Sequence, residues 1–571
     1  MNQASQFIGY WSRSHQPELA ATWNKLLKTR SLQPYIPSEN YGIWGLGFTG
    51  KNTIVQELVN RQEIIVNFSA SGLTDAPEAW VKIAVESLTL GREPFGRSPL
   101  YWTEEKGIIW FASRWQLLLS IVPDWQISLP AVYAYSCFSY VPTPLTPGEE
   151  IFAVPAGTEI SWQGKALLPT SQQWHQWQEA PELIGSEKDA IFNLQILLKN
   201  AIQKQISDLS CQPVGVFLSG GIDSSIVAAL LVQAGVKVKA YALDFTAVLK
   251  NQQLSELPYA QQVADFLQIP LIIVAVTPAK IRRAIALTAE ALDLPFGDGA
   301  TIPLFLLSQV ASQEVEVIFN GEHGDQLFAG WTNKPLIAAS IYHGNSPPSD
   351  FYQDYLKTFH ALYGYEAQIY QPRVYQQIEN LHPQDWFQTA LDPTFSTHLL
   401  SRLRRASLML KGAQNIQPRA NNIALSQGLS VRSPFCDLPL AEWTFQLAGE
   451  LCLQGVCEKY ILKRAVESWL PPTVVWREKQ GMAIPITALC LNSLHDQIKF
   501  WLNPRKLNQQ GIWQPKIAEQ VINGDFGGQI RGGRVGRILW LLMMWQAWQS
   551  TALGKNRQPD LIDFFWDFFH R

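Results

Sequence analysis

The chain has 571 residues, of which 47% are hydrophobic and 16% charged, and its formal net charge is −3. That length holds about two or three domains with sizeable cores, and that composition excludes an intrinsically disordered chain. No basic excess exists to favour nucleic acid as a partner.

The first residues, Met1 to Gln6, lack a basic segment followed by an apolar one, so no signal peptide is expected. Short β-like runs then alternate with turns: Tyr41 to Phe48, Glu63 to Phe68, Ile108 to Ala112 and Ile151 to Val154. Gly45 to Asn52 matches the dinucleotide fingerprint and nearly matches the phosphate loop of kinases. Asn52, however, stands where that loop needs Ser or Thr, and no helix pattern of the required length surrounds it. The spacing predicts a hairpin turn there. Pro142, Pro144, Pro147, Pro155 and Gly157 punctuate the end of this part, and Ser171 to Gln178 reads as a polar linker.

From about Glu187 the rhythm changes to strand, helix, strand. Val214 to Leu218 is an apolar run suited to a strand buried in a parallel sheet. Ser219, Gly220 and Gly221 make a turn too tight for larger residues, and Asp223 and Ser224 stand where a helix starts. A strand, a glycine turn and a helix N-terminus form a nest of N–H groups that binds phosphates, and an Asp within it suits a Mg²⁺ carried by them. Further strands follow at Val236 to Leu243 and Ile269 to Val276, with helices over Ala260 to Leu267 and Pro303 to Ala311. Such alternation predicts a doubly wound parallel sheet with its ligand at the carboxyl ends of the strands.

Val315 to Phe319 is a fourth strand, and it runs into the glycine-rich acidic turn Asn320 to Trp331. If it neighbours the first strand, Asp223 and Asp325 can share one Mg²⁺; otherwise Asp325 caps a helix starting at Gln326. After Asp350 the chain reads as mostly helical and rich in Trp. Ile538 to Trp548 is too short to span a membrane and reads as a core helix. The aromatic tail Asp560 to Arg571 docks either on its own fold or on a partner. The six cysteines show no metal or disulfide spacing, so reduced thiols in a cytoplasmic protein are expected.

The stretch Ser219 to Ser224 resembles the S-G-G-x-D-S loop of the ATP-pyrophosphatase superfamily. Gly321 to Trp331 resembles the G-E-G-x-D-E-L-F-x-G-Y turn of the asparagine synthetase family, and Leu292 to Ser308 resembles its preceding segment. Val431 to Asp437, Lys459 to Lys463 and Arg477 to Gly481 are similar to that family's R-x-P-F-L-D, K-x-x-L-R and R-x-K-x-G, in the same order. Leu90 to Trp102, with Phe111 to Ser113 and Tyr140 to Pro142, resembles the family's glutaminase domain.

That resemblance implies an α/β chain in three parts. Residues 1–170 would be a degenerate glutaminase-like α+β sandwich of the N-terminal-nucleophile type. Residues 187–550 would be a doubly wound ATP-pyrophosphatase (synthetase) domain with a helical C-terminal part, and 551–571 an aromatic tail. Glutamine hydrolysis in the family uses a Cys directly after the initiator Met, whereas the first cysteine here is Cys137 and Ser5 falls near the expected place. The family's H-R-G-P-D and N-G-E-x-Y-N stretches are absent too, so loss of glutaminase activity is expected.

The nitrogen would then come from free ammonia or from an amine on the substrate. Lasso-peptide cyclases and β-lactam-forming synthetases resemble the family, lack the N-terminal Cys and close a ring after adenylating a carboxylate. Gln326 after Asp325 is similar to these ring-closing relatives, whereas Glu322 matches asparagine synthetases and argues against the β-lactam type. Ser430 and Asn421 replace carboxylates in the region expected to line the substrate pocket.

The resemblance implies an ATP- and Mg²⁺-dependent ligase that forms an acyl-adenylate and then an amide. ATP would lie on Leu218, Ser219, Gly220, Gly221, Asp223, Ser224, Ser225, Asn320 and Gly321, with Asp223 and Asp325 on Mg²⁺. Lys479 and Lys459 would neutralise developing charge, and Glu322 would orient or deprotonate the amine. His323 is either a base or a hydrogen-bonded spectator. The expected reaction is ring closure of a precursor peptide, with a leader protease or leader-binding protein as partner. The alternatives are ammonia-dependent asparagine synthesis, or amide formation on another carboxylate, and an inactive scaffold.

Overall fold

The computed structural model describes residues 5–38, 42–73, 76–164, 166, 168–181, 185–209, 211–249, 255–330, 348–479, 484–526 and 530–554. The tail from Asp560, together with Gln480, Gly481 and Trp331 of the quoted motifs, lies outside them.

Alternation of apolar and polar residues builds the N-terminal part. In Glu63–Phe68, Ile64, Val66 and Phe68 are buried while the residues between them are partly exposed. Two six-stranded antiparallel sheets result. One contains the strands Gln6–Ser12, Ile43–Thr49, Tyr101–Glu105 and Ile108–Ala112; the other contains Thr53–Leu58, Glu63–Phe68, Ala79–Ala84, Ser87–Arg92 and Thr158–Gln163. Phe7, Trp11 and Phe111 of the first meet Val66, Val81 and Leu90 of the second in one apolar layer.

Two expectations are corrected here. Gly45 to Asn52 is not a hairpin turn, because Ile43–Thr49 and Thr53–Leu58 belong to different sheets. It is a corner between the sheets, turned at Gly50 (φ 76°), and Asn52 is buried with its amide donating to Ser69 O at 2.8 Å. The polar linker also begins later than expected. Thr170–Gln173 pairs antiparallel with Thr158–Ser161 as an edge strand, and its four residues read as linker because all of them are exposed.

The second part begins with the helix Glu187–Ile206, whose Ser186 and Asp189 form a capping box. It continues as β1 (Val214–Phe217), α1 (Ile222–Gln233), β2 (Val238–Asp244), α2 (Leu257–Leu267), β3 (Leu271–Ala275), α3 (Pro278–Ala291), α4 (Thr301–Ala311), β4 (Val317–Phe319), α5 (Gly324–Leu327) and, far along the chain, β5 (Ser430–Arg432). These strands form one parallel sheet in the order β3-β2-β1-β4-β5. Thus β1 and β4 are neighbours, and the order reverses at β1, the switch point where such sheets bind ligands.

The long helix Gly533–Gly554 contains the apolar run Ile538 to Trp548 as a buried core element. It holds the two parts together: Tyr135 of the N-terminal part donates its hydroxyl to Leu541 O at 2.8 Å, and Trp548 donates to Asp293 O at 3.1 Å. Among the described residues, no helix is long and apolar enough to cross a membrane.

Candidate active site

The carboxyl ends of the neighbouring strands β1 and β4 open side by side onto a cavity of about 220 Å³. Gly220 takes the left-handed conformation (φ 75°), and a Cβ there would lie 2.5 Å from Ala260 N. Only glycine turns the chain at that point. Gly221 caps α1, the Ser219 N–H donates to Ser224 Oγ at 3.2 Å, and the Gly221 N–H donates to Ser219 Oγ at 3.2 Å. Opposite, a Cβ on Gly321 would lie 2.5 Å from Ser224 N, so the two turns can approach this closely only without a side chain there. Asn320 Oδ1 accepts from the Glu322 N–H at 3.2 Å and from Ser433 Oγ at 2.8 Å, which fixes the start of the second turn on β5.

Of the sequence candidates, Leu218, Ser219, Gly221, Asp223 and Ser224 line the cavity from the first turn. Asn320, Gly321, Glu322 and Asp325 line it from the second, and Lys479 closes one side. Gly220 and Ser225 stand behind this surface, Gly220 against α2 and Ser225 bonded through its hydroxyl to Gly221 O at 2.7 Å. Asp325 lies in the first turn of α5 rather than capping a helix.

Lys459 stands beneath the cavity. Its backbone is left-handed (φ 57°), its side chain is buried, and its ammonium lies 2.5 Å from Asp325 Oδ1 while also hydrogen-bonding Asp223. Lys479 Nζ meets Asp325 Oδ2 at 2.8 Å, and its backbone N–H donates to Glu458 Oε1 at 3.0 Å. Burial pushes the Asp325 carboxyl up, but the ammoniums of Lys459 and Lys479 outweigh it and hold the group below the usual carboxylate range. Asp223 moves the other way, pushed up by burial against the pull of Lys459.

The two carboxylates converge on one cation, the Lys459 ammonium, and Asp223 Oδ1 is buried with no hydrogen-bond partner among the described residues. Two hard oxygen donors beside a nest of N–H groups fit Mg²⁺ bound to phosphates, which takes one or two carboxylates and fills its shell with phosphate oxygens and water. Among the described residues no cluster of three or more His, Cys, Asp or Glu forms a self-sufficient metal site.

Burial pushes the Glu322 carboxyl up, opposed by Arg419 and reinforced by Asp325. His323 also lines the cavity. Its ring packs between Phe95 and Gln417, whose amide donates to Nδ1 at 3.0 Å, and burial together with Arg97 pushes it down to about 3, so it stays neutral.

Asn421 and Ser430 do not line this cavity. Asn421 donates to Arg97 O of the N-terminal part at 2.7 Å, and Ser430 lies against Gly72. Sequence reasoning also missed residues that do belong to the site. Glu256 lines it and pairs with Arg477 at 2.6 Å, and Arg419 pairs with Asp298 behind Glu322. Asp298 and Arg477 lay within quoted motifs, which was the only available signal; Glu256 and Arg419 carried none.

Residues 193–550 match the family model described as Asparagine synthase. The chain is 23% identical to asparagine synthetase [glutamine-hydrolyzing] 1 of Bacillus subtilis, over 82% of this chain and 76% of that one. It is 25% identical to a putative asparagine synthetase [glutamine-hydrolyzing] of Mycobacterium bovis, over 70% of this chain and 65% of that one, a little under two thirds of its length. Among solved structures, the NMN synthetase of Francisella tularensis matches 40% of this chain and 94% of its own at 17% identity, with a TM-score of 0.21. The NH3-dependent NAD synthetase of Campylobacter jejuni matches 41% of this chain and 95% of its own at 14% identity, with a TM-score of 0.20.

Proposed function

The chain belongs to the asparagine synthase family, and on that premise we propose that this ATP-dependent carbon–nitrogen ligase adenylates a substrate carboxylate and couples it to an amine not released from glutamine. The observation that carries the reading is the convergence of Asp223, Glu322, Asp325 and Lys479 on one cavity at the switch point of the sheet.

The N–H groups around Ser219 to Ser224 bind the phosphates of ATP. A carboxylate oxygen of the substrate attacks the α-phosphorus, the bond to the bridging oxygen breaks, and pyrophosphate leaves. Asp223 and Asp325 would hold Mg²⁺, which when bound neutralises charge on the phosphates. Lys479 stabilises the negative charge on departing pyrophosphate, and Lys459 fixes the two aspartates in place. The amine then attacks the acyl carbon, AMP leaves, and Glu322 takes the proton lost by nitrogen.

Residues 1–170, with the edge strand that runs on to Gln173, form the degenerate glutaminase-like unit and 187–550 the ligase unit. Two features support loss of glutamine hydrolysis: the first unit lacks the family's H-R-G-P-D and N-G-E-x-Y-N stretches, and Ser5 Oγ is bound to Asn52 Oδ1 at 2.6 Å. An amine carried by the substrate makes the product a ring, and a precursor peptide with a leader protease or leader-binding protein is the form we favour. Aspartate with free ammonia is the second reading, favoured by the names of the relatives.

The test is pyrophosphate release with aspartate plus ammonia against leaderless peptides, using Asp223→Ala as blank. Ring closure gives a product lighter by one water. Turnover with aspartate and ammonia alone returns the chain to asparagine synthesis.

A further inference from the structure

A second cavity, of about 240 Å³, lies on the other side of the cluster formed by Asp298, Arg419 and Asn415. It exceeds the ~150 Å³ that suffices to hold a benzene ring. Its walls come from both parts of the chain: Phe138 and Tyr140 from the N-terminal part, Tyr355, Phe359 and Leu410 from the helical region, and Leu541 from the long C-terminal helix. Such a mixture of aromatic and aliphatic walls takes an apolar body.

Its charged groups are Lys411, Arg537 and Asp298. Ser407 Oγ lines the cavity, is buried, and has no hydrogen-bond partner among the described residues. Lys411 and Arg537 are exposed at its rim, while the single carboxylate among its lining residues, Asp298, is engaged by Arg419. The rim is therefore cationic, and its Lys411 feels the carboxylates of Asp298, Asp325 and Glu322.

We propose that this second cavity holds the aromatic or long aliphatic body of the acceptor whose carboxylate is activated in the first, so that the preferred substrate is an apolar carboxylate larger than aspartate. The inference rests on the adenylating reading above for its catalytic half, and on the cavity alone for its binding half.

The probe is indole-3-propionate, with propionate as control, titrated calorimetrically into the full chain. Tighter binding of the indole compound by tenfold or more is expected, with an equal loss in Ala361→Trp, which fills the cavity from its lining. Should that variant fail to fold, Arg537→Ala, at an exposed position, is expected to weaken the same binding several-fold. Equal affinity for the two probes, or unchanged binding in a folded Ala361→Trp or in Arg537→Ala, overturns the inference. ATP–pyrophosphate exchange across carboxylates then separates the two ideas. Selective indole binding with exchange favouring aromatic over aspartyl carboxylates supports both. Selective binding with no exchange on any carboxylate overturns the adenylating reading, while exchange that favours aspartate overturns the substrate class.

Discussion

Lys459 Nζ lies 2.5 Å from Asp325 Oδ1, although the two stand 134 positions apart in the sequence, and the same ammonium hydrogen-bonds Asp223. One buried cation thereby joins the turn after β1 to the turn after β4. Removing it leaves Asp223 without its cation, and breaking a buried pair in this way costs about 3–5 kcal/mol. Lys459→Ala should therefore lower the melting temperature as well as turnover, and added Mg²⁺ should restore part of the loss in thermal unfolding. Lys479, a third exposed, should behave differently: Lys479→Ala keeps the fold and lowers the rate of pyrophosphate release by roughly 10²–10³. Equal effects of the two variants on melting would contradict this division of labour.

The pH dependence follows from Glu322 and His323. Glu322 acts as a base only when ionised, and burial raises its proton affinity. Turnover should fall on the acid side at a pH above the ordinary carboxylate range, and Glu322→Gln should remove that limb and about 10²–10⁴ of the rate. His323→Gln should leave the limb where it is, because His323, held at about 3, is already neutral there.

His323 should instead be visible in stability. The unfolded chain binds its proton near pH 6.5 and the folded chain only near 3, so folding loses stability as pH falls through that window and is unaffected above it. Urea unfolding at several pH values should show a shallower slope between 6.5 and 3 in His323→Gln than in the parent chain. An identical slope would mean that the folded protein protonates this ring.

Glu179 gives a pH dependence of the same sense at lower pH, arising from hydrogen bonds rather than from burial. Burial raises its carboxyl, but the Thr397 N–H at 2.7 Å, His398 at 2.9 Å and the Thr397 hydroxyl at 2.9 Å outweigh that and hold it at about 2. Its stabilisation is full above the unfolded value, about 4.5, and fades as pH falls through about 2. Glu179→Gln should thus be less stable than the parent at pH 7, with the difference shrinking below pH 4.5.

Gly220→Ala tests the phosphate nest. The added methyl would meet Ala260 N at 2.5 Å in a left-handed backbone, a strain of about 1–3 kcal/mol. The KM for ATP should rise and the melting temperature should fall. Unchanged ATP affinity would remove this turn from the nucleotide site.

Much of this architecture was legible because its chemistry is local. Val214 to Ser225 and Val315 to Asp325 carry the strand, glycine turn and helix start in consecutive residues, whereas their adjacency as β1 and β4 was left open by the alternating pattern and is supplied by the sheet order. Long-range placement was less legible. Asn421 reads as a pocket residue until the N-terminal sandwich is seen covering it through Arg97. Lys459 carries no mark of its position between two aspartates, and Glu256 meets Arg477 only because α2 and a distant loop are brought together by the sheet. The edge strand Thr170–Gln173 was hidden by its full exposure, and helix α3 lay in a stretch where no helix was expected.

The central claim, activation of a carboxylate by cleavage of ATP between its α- and β-phosphates, is tested most directly by the products of ATP. Incubation with a panel of carboxylates, including leaderless peptides and aspartate with ammonia, should yield AMP and pyrophosphate in equal amounts, and Asp223→Ala should abolish both. Formation of ADP and phosphate instead, or equal pyrophosphate release by Asp223→Ala, would contradict it.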